Sequence, residues 1–214
     1  MILLFFTVIA AYLLGSIPSA VWLGRALKGV DLRDHGSGNA GATNAFRVLG
    51  TPIGIAVLLL DMGKGYLAVS LVRIQDLWLP GSEGYDLFRI GLGLVAVLGH
   101  IFPVFARFRG GKGVATLAGI GLALNLPAAG AAFLVYGLVF YLSRLSALGS
   151  LIAVTSYPFW MILVFPAESL ALRVFSVAVP LLVYYTHRAN IGRLIRGEEN
   201  RVFRGKQGDP SGEP

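Results

Sequence analysis

The sequence predicts an all-α, polytopic integral membrane protein of about seven transmembrane helices, and three observations carry that prediction. Charged residues make up only 14% of the 214-residue chain against 56% hydrophobic, where an average soluble domain carries about 25% charged. Too little polar surface is present to cover a soluble globule, so the apolar excess must face lipid. Apolar stretches of near-spanning length recur along the chain, and the cations between them gather in alternate loops.

A helix rising about 1.5 Å per residue needs ~20 apolar residues to cross a hydrocarbon core of ~30 Å. Residues 2–24 meet this and carry no basic stretch before the apolar run, so they read as a retained first span and not a cleaved signal peptide. Pro18 lies inside that span and predicts a packing kink. Residues 52–72 and 88–106 form the second and third spans. The run 114–142 is too long for one helix and is interrupted by Asn125-Leu126-Pro127. Asn suits the end of one helix and Pro the first turn of the next, so 114–125 and 127–142 are two spans. Residues 146–165 and 169–186 complete the seven. Ala115, Gly119 and Ala123 recur at four-residue spacing and predict a close-packing helix face. Asp61 and Lys64, three apart within the second span, read as a mutually neutralising pair, with a functional role left open. His100, at the end of the third span before Pro103, reads as a structural histidine.

Charge sets the orientation. The loops 25–51, 106–113 and 143–145 and the tail 187–214 hold fourteen Lys and Arg, whereas the opposite loops hold only Arg73, Arg89 and Arg173. That bias places the N-terminus outside and the C-terminus in the cytoplasm. The chain is then a single transmembrane domain, 1–214, ending in a flexible cytoplasmic tail over 201–214, in a multi-pass protein of the bacterial inner membrane.

Several function classes fall away. With no cysteine, neither a disulfide framework nor a Cys-based zinc or redox site is available. His35, His100 and His187 are far apart and show no metal-binding spacing, so no metal is expected. The net charge of +7 resides in short loops between apolar spans, which favours anionic lipid or an anionic substrate over nucleic acid.

Three segments carry chemistry. The first is Gly36, Ser37, Gly38, Asn39, Ala40, Gly41, Ala42, Thr43 and Asn44, followed by Arg47. Small residues turn backbone N–H groups toward a ligand, the hydroxyl and amide side chains add hydrogen bonds, and arginine suits a phosphate bidentately. A helix starting near Thr43 would add its N-terminal amides. The second is Arg107, Phe108, Arg109, Gly110, Gly111, Lys112 and Gly113, leading into the fourth span. A glycine turn opening a helix, with lysine at its edge, is a phosphate cradle. It is not a nucleotide-binding P-loop, since Ala106 stands where a glycine is required and Gly113 where Ser or Thr is required. The third segment, 187–199, follows the last span. On a continuing helix His187 and Asn190 share a face, and Arg193 and Arg196 extend that register. Each segment alone also fits a bland role: a flexible loop, a positive-inside anchor, a basic helix attracted to anionic lipid. All three, however, fall on the same predicted face although two and four spans of chain separate them. A shared anion site needs that arrangement, and independent loops do not.

These strings resemble the signature segments of the bacterial acyl-phosphate:glycerol-3-phosphate acyltransferases. The resemblance also takes in Gly15-Ser16-Ile17-Pro18, Asp61-Met62-Gly63-Lys64-Gly65 and Gly99-His100-Ile101-Phe102-Pro103, and runs from about residue 12 to 200. It implies transfer of a fatty acyl group from acyl phosphate to the sn-1 hydroxyl of glycerol 3-phosphate, giving lysophosphatidic acid at the start of phospholipid synthesis. It implies no cofactor, no metal, no acyl-CoA or acyl carrier protein, and a transient contact with the enzyme that makes the acyl phosphate. The H-x₄-D pair of the other large acyltransferase family is missing, as is a G-x-S-x-G nucleophile turn.

The resemblance marks Ser37, Arg47, Lys112, His187 and Asn190 as catalytic-site residues. Phosphate binding is then expected at Gly36, Ser37, Gly38, Asn39, Thr43, Asn44, Arg47, Gly110, Gly111, Lys112, Gly113, Arg188 and Arg193. His187 and Asn190 would orient substrate, or His187 would act as general base, or a substrate phosphate oxygen would take the proton. The rival function is an anion or phosphate-ester transporter, whose sites usually lie near the midplane and not at one interface. A CDP-alcohol phosphotransferase is a weaker rival, since no multi-Asp helix motif is present.

Overall fold

The computed structural model describes residues 1–202, and every regular element among them is helical. The tail expected over 201–214 lies outside the described residues except for its first two.

Helix α1 (Ile2–Ser16) breaks at Ile17-Pro18 and resumes as α2 (Ser19–Lys28) after a bend of 42°. Proline has no N–H to continue the ladder, so the kink expected there is a full break. A seven-residue helix, α3 (Ala42–Val48), precedes α4 (Thr51–Ser70). Helix α5 (Glu83–Ile101) starts five residues before the apolar stretch that predicted it. Ser82 accepts from the Tyr85 N–H at 3.3 Å, and Glu83 and Asp86 sit in the first turn, where acidic side chains favour the helix dipole. The break at Asn125 is as expected: α6 (Val114–Leu124) ends, and the Asn125 side chain accepts from the Ala128 N–H at 3.1 Å to start α7 (Leu126–Ser143). Helix α8 (Ser146–Phe159) closes in a wide turn, Trp160–Val164. At the end of α9 (Leu170–Thr186) the chain turns through 69° at His187 into α10 (Arg188–Ile195). The single continuing helix expected past residue 186 is therefore two helices.

Four helical stretches among the described residues are long and apolar enough to cross a membrane, Thr51–Ile74, Glu83–Ala106, Leu126–Ser143 and Ser146–Val164. Counting the two bent pairs as spans gives six. The seventh candidate, α6, has eleven residues and reaches only about 16 Å, half the hydrocarbon thickness.

Small residues bring the central helices into backbone contact. Gly65 of α4 lies against Thr116 of α6, and Gly119 of α6 against the Met62 backbone. Gly15 of α1 meets Ala96 of α5 in the same way. The four-residue pattern thus packs helices through Gly119, while Ala115 turns toward a cavity. The largest buried apolar cluster joins α5 through α9 around Ile120, Met161 and Val183, whereas large side chains such as Phe5, Leu134, Leu163 and Leu181 point outward as a lipid-facing belt. A smaller cluster of Ala20, Leu32, Ala45, Leu49 and Val57 seats α3 and the loop before it on α2 and α4.

Candidate active site

The first segment is held by side chains that consume its own polar groups. Asn44, buried in α3, accepts the Ser37 N–H at 3.0 Å and donates to the Leu32 and His35 carbonyls at 3.1 and 2.9 Å. It staples the loop and also lines the cavity beside Thr43. Gly36 and Gly38 supply left-handed turns, with φ +62° and +69°, and are not part of the cavity wall. Arg33 ties this loop to the next, donating to the Ala106 carbonyl at 2.7 Å and pairing with Asp31 at 2.7 Å. That hydrogen-bonded guanidinium holds the Asp31 carboxyl well below the usual range. Ser37, Asn39, Thr43 and Arg47 do line the cavity. Thr43 shares a 2.8 Å hydrogen bond with Ser146, which meets the Tyr136 hydroxyl at 3.1 Å. Arg47 donates through Nη2 to the Asn200 carbonyl at 2.7 Å, and its buried Nε has no partner among the described residues.

The glycine segment is used differently from the expectation. The Gly110 N–H donates to the Ile101 carbonyl and the Gly111 N–H to the His100 carbonyl, both at 3.2 Å. The last carbonyls of a helix lack intrahelical partners, and here these two amides satisfy them. They are therefore engaged on α5 and are not free phosphate donors, a correction to the cradle read from the sequence. What reaches the cavity is Lys112, then Gly113, Val114 and Ala115, the start of α6. Gly113 caps that helix with φ +82°, a left-handed conformation that glycine adopts without a Cβ penalty.

In the third segment the turn at His187 brings His187, Asn190 and Arg193 to the same cavity. His187 Nδ1 lies 3.0 Å from the Val183 carbonyl, which selects the Nδ1–H tautomer and leaves Nε2 as an acceptor. Arg188 points away: it is exposed, donates to the Tyr185 carbonyl at 3.1 Å and stacks 4.7 Å from the Tyr185 ring. Its expected place beside the phosphate residues is not found. Gly197, with φ +70°, turns the chain back after α10, and this delivers Glu199, which sequence reasoning did not select. Glu199 accepts from Asn190 and from Arg193, each at 2.8 Å, and is almost fully buried. The signal was present as a glycine just past a helix end followed by two acids.

The resulting cavity, about 340 Å³, has two characters. At one part of its wall stand Arg47, Lys112 and Arg193 with the carboxylate of Glu199, and Lys112 donates to Asn190. Elsewhere it is lined by Leu117, Ala118, Ala129, Ala132, Val154 and Phe175. Burial pushes the Lys112 ammonium down to about 8, with Glu199 opposing and Arg193 and Arg47 adding to the fall. Burial likewise lowers Arg47, with Glu199 opposing, although a guanidinium stays charged. His187 falls to about 4 through burial and the Lys112 charge, against the Val183 hydrogen bond and Glu199. The imidazole is thus neutral near pH 7. Asp61 and His100 also reach this cavity, which was not expected of either.

An all-helical membrane bundle with a cavity part cationic and part apolar belongs to the class of proteins that handle a molecule with an anionic head and an apolar tail. Residues 5–197 match the profile of the glycerol-3-phosphate acyltransferase family. Curated relatives named glycerol-3-phosphate acyltransferase include one from Thermosynechococcus vestitus, 41% identical over 195 residues and covering 90% of this chain and 92% of the relative. Another, from Enterococcus faecalis, is 42% identical over 202 residues, covering 91% and 89%. The crystal structure of PlsY (YgiH), an integral membrane glycerol 3-phosphate acyltransferase in its glycerol 3-phosphate form, superposes with a TM-score of 0.80 at 39% identity, covering 92% of this chain and 94% of that one. Its lysophosphatidic acid form gives 0.79 at 38%. The chain belongs to the glycerol-3-phosphate acyltransferase family and is an integral membrane acyltransferase of phospholipid synthesis.

Proposed function

We propose that this acyltransferase takes its acyl group from an acyl phosphate and works at the cytoplasmic face of the bacterial inner membrane. The observation that carries the reading is three cations set against the Glu199 carboxylate, with Asp61 already paired to Lys64, in a cavity that continues along apolar walls. That excess of two positive charges suits a phosphate dianion, and the apolar wall suits an acyl chain. Arg47, Lys112 and Arg193 hold the two phosphorylated substrates, with Ser37, Asn39 and Thr43 adding hydrogen bonds. Asn190, fixed by Glu199, orients Lys112.

An acyl phosphate is already activated, so the site needs proximity and charge stabilisation and no covalent enzyme intermediate. The sn-1 hydroxyl oxygen attacks the acyl carbonyl carbon. The bond from that carbon to the bridging phosphate oxygen breaks, and inorganic phosphate leaves with the hydroxyl proton. His187, buried and neutral, offers Nε2 as a hydrogen-bond acceptor to the attacking hydroxyl. Burial disfavours the charged imidazolium, which favours substrate phosphate as the final proton acceptor.

The charge bias supports seven crossings, with α1–α2 crossing as one bent pair, α9 as the last crossing ahead of a cytoplasmic α10, and α6 as a short crossing after a cytoplasmic glycine loop. One membrane domain then holds the whole site. The acyltransferase relatives and neighbours lend the transporter alternative no support. Purified protein in lipid nanodiscs, offered palmitoyl phosphate, palmitoyl-CoA and palmitoyl-acyl carrier protein, should make lysophosphatidic acid only from the first, with one inorganic phosphate released per product. Product from either other donor at a comparable rate would refute the donor assignment.

A further inference from the structure

We propose that His100 is a positioning residue for the loop that bears Lys112, its imidazole forming the floor on which Gly111 rests. The proposal rests on the reading of that loop as part of the phosphate site.

Two contacts join His100 to the loop. Its carbonyl accepts the Gly111 N–H at 3.2 Å. Its ring fills the space beside Gly111 so completely that a Cβ there would collide with Nε2 and lie 3.1 and 3.2 Å from Cε1 and Cδ2. No other group stands among the three nearest to such a Cβ. On its opposite side the ring faces a buried ion pair. His100 Nδ1 lies 3.9 Å from Asp61 Oδ1 with no hydrogen bond between them, and Asp61 pairs with Lys64 at 2.9 Å. Lys64 donates to the Ile17 carbonyl at 2.9 Å, an acceptor at the break made by Pro18. All three side chains are buried. The loop is therefore bonded to the end of α5, and the ring stands between it and the ion pair of α4. The next residue, Lys112, carries its ammonium to Asn190, so a shift of Gly111 displaces the cation. Supports of this kind fix the groups that touch substrate.

Gly110 supplies a control. A Cβ on Gly110 would collide with the His100 carbonyl and approach the Pro103 ring at 2.7 Å and the Ile101 carbonyl at 2.8 Å. None of these is removed with the imidazole. Loss of the His100 ring should thus relieve Gly111→Ala and leave Gly110→Ala unchanged.

The test is a pair of double-mutant cycles, with KM for glycerol 3-phosphate and kcat measured in nanodiscs. In the wild-type background Gly111→Ala should raise KM about tenfold or more with a smaller change in kcat. In a His100→Ala background the vacated ring space accepts the methyl group, and the same substitution should change KM less than about threefold. Gly110→Ala should be equally damaging in both backgrounds. If His100→Ala does not yield folded protein, His100→Ser removes the same ring atoms, and stabilisation against heat by glycerol 3-phosphate reads binding without turnover. Equal effects of Gly111→Ala in the two backgrounds, or a wild-type KM for Gly111→Ala alone, overturn the proposal. Lys112→Met separates the two levels of inference. A raised KM there with no His100-dependent rescue refutes only the role of His100, whereas an unchanged KM refutes the phosphate site and the positioning role with it.

Discussion

Lys112 offers the sharpest test of the site, through pH. Burial and the neighbouring guanidiniums place its ammonium at about 8, so it is roughly 90% charged at pH 7 and about 10% at pH 9. A charge-assisted phosphate contact is worth about 1.5–3 kcal/mol, or roughly 10- to 150-fold in affinity. The protonated form binds, so affinity falls as pH rises through about 8. Calorimetric titration of glycerol 3-phosphate into the nanodisc-embedded protein, without donor, should show a dissociation constant flat to about pH 7.5. It should then rise about tenfold per pH unit. The bound phosphate raises the ammonium pKa by about one to two units, so the curve should level off near pH 9–10. Lys112→Met should bind at the weak plateau with no alkaline limb, and Lys112→Arg should bind tightly across the range. An alkaline limb that survives in Lys112→Met would assign it to another group and refute the argument. A wild-type protein without the limb would refute the burial-lowered ammonium.

Two further outcomes follow from the geometry. His187→Asn should keep measurable turnover and an ascending limb near pH 6, because a histidine held at about 4 is already neutral there and the limb belongs to substrate phosphate. Loss of that limb together with about 10³-fold of rate would make histidine the base. Because the chain has no native cysteine, single cysteines at positions 37, 111 and 205 should react with an impermeant thiol reagent only from the cytoplasmic side, and external labelling at 205 would overturn the odd number of crossings.

The sequence alone determined the membrane class, the break at Asn125 and the three segments that meet at the cavity. These are local properties: apolar runs of spanning length, a capping Asn before Pro, and clusters of residue types that suit an anion all occur within a few neighbours of one another. It also determined that Ser37, Arg47, Lys112, His187 and Asn190 belong together, because the resemblance joins blocks that are far apart in the chain. Only the tertiary structure decided which polar groups are free. The amides of Gly110 and Gly111 look available in sequence, yet the end of α5 offers unpaired carbonyls and takes them. Asn44 looks like a ligand group and is spent on its own loop, and Arg188 turns out to Tyr185 because the chain bends at His187. Glu199 and His100 come to the site only through a turn at Gly197 and the packing of Gly111 on a ring. A hydrogen-bonding group has one set of partners at a time, and which set it takes depends on neighbours supplied from distant segments, which no local reading of residue type can reach.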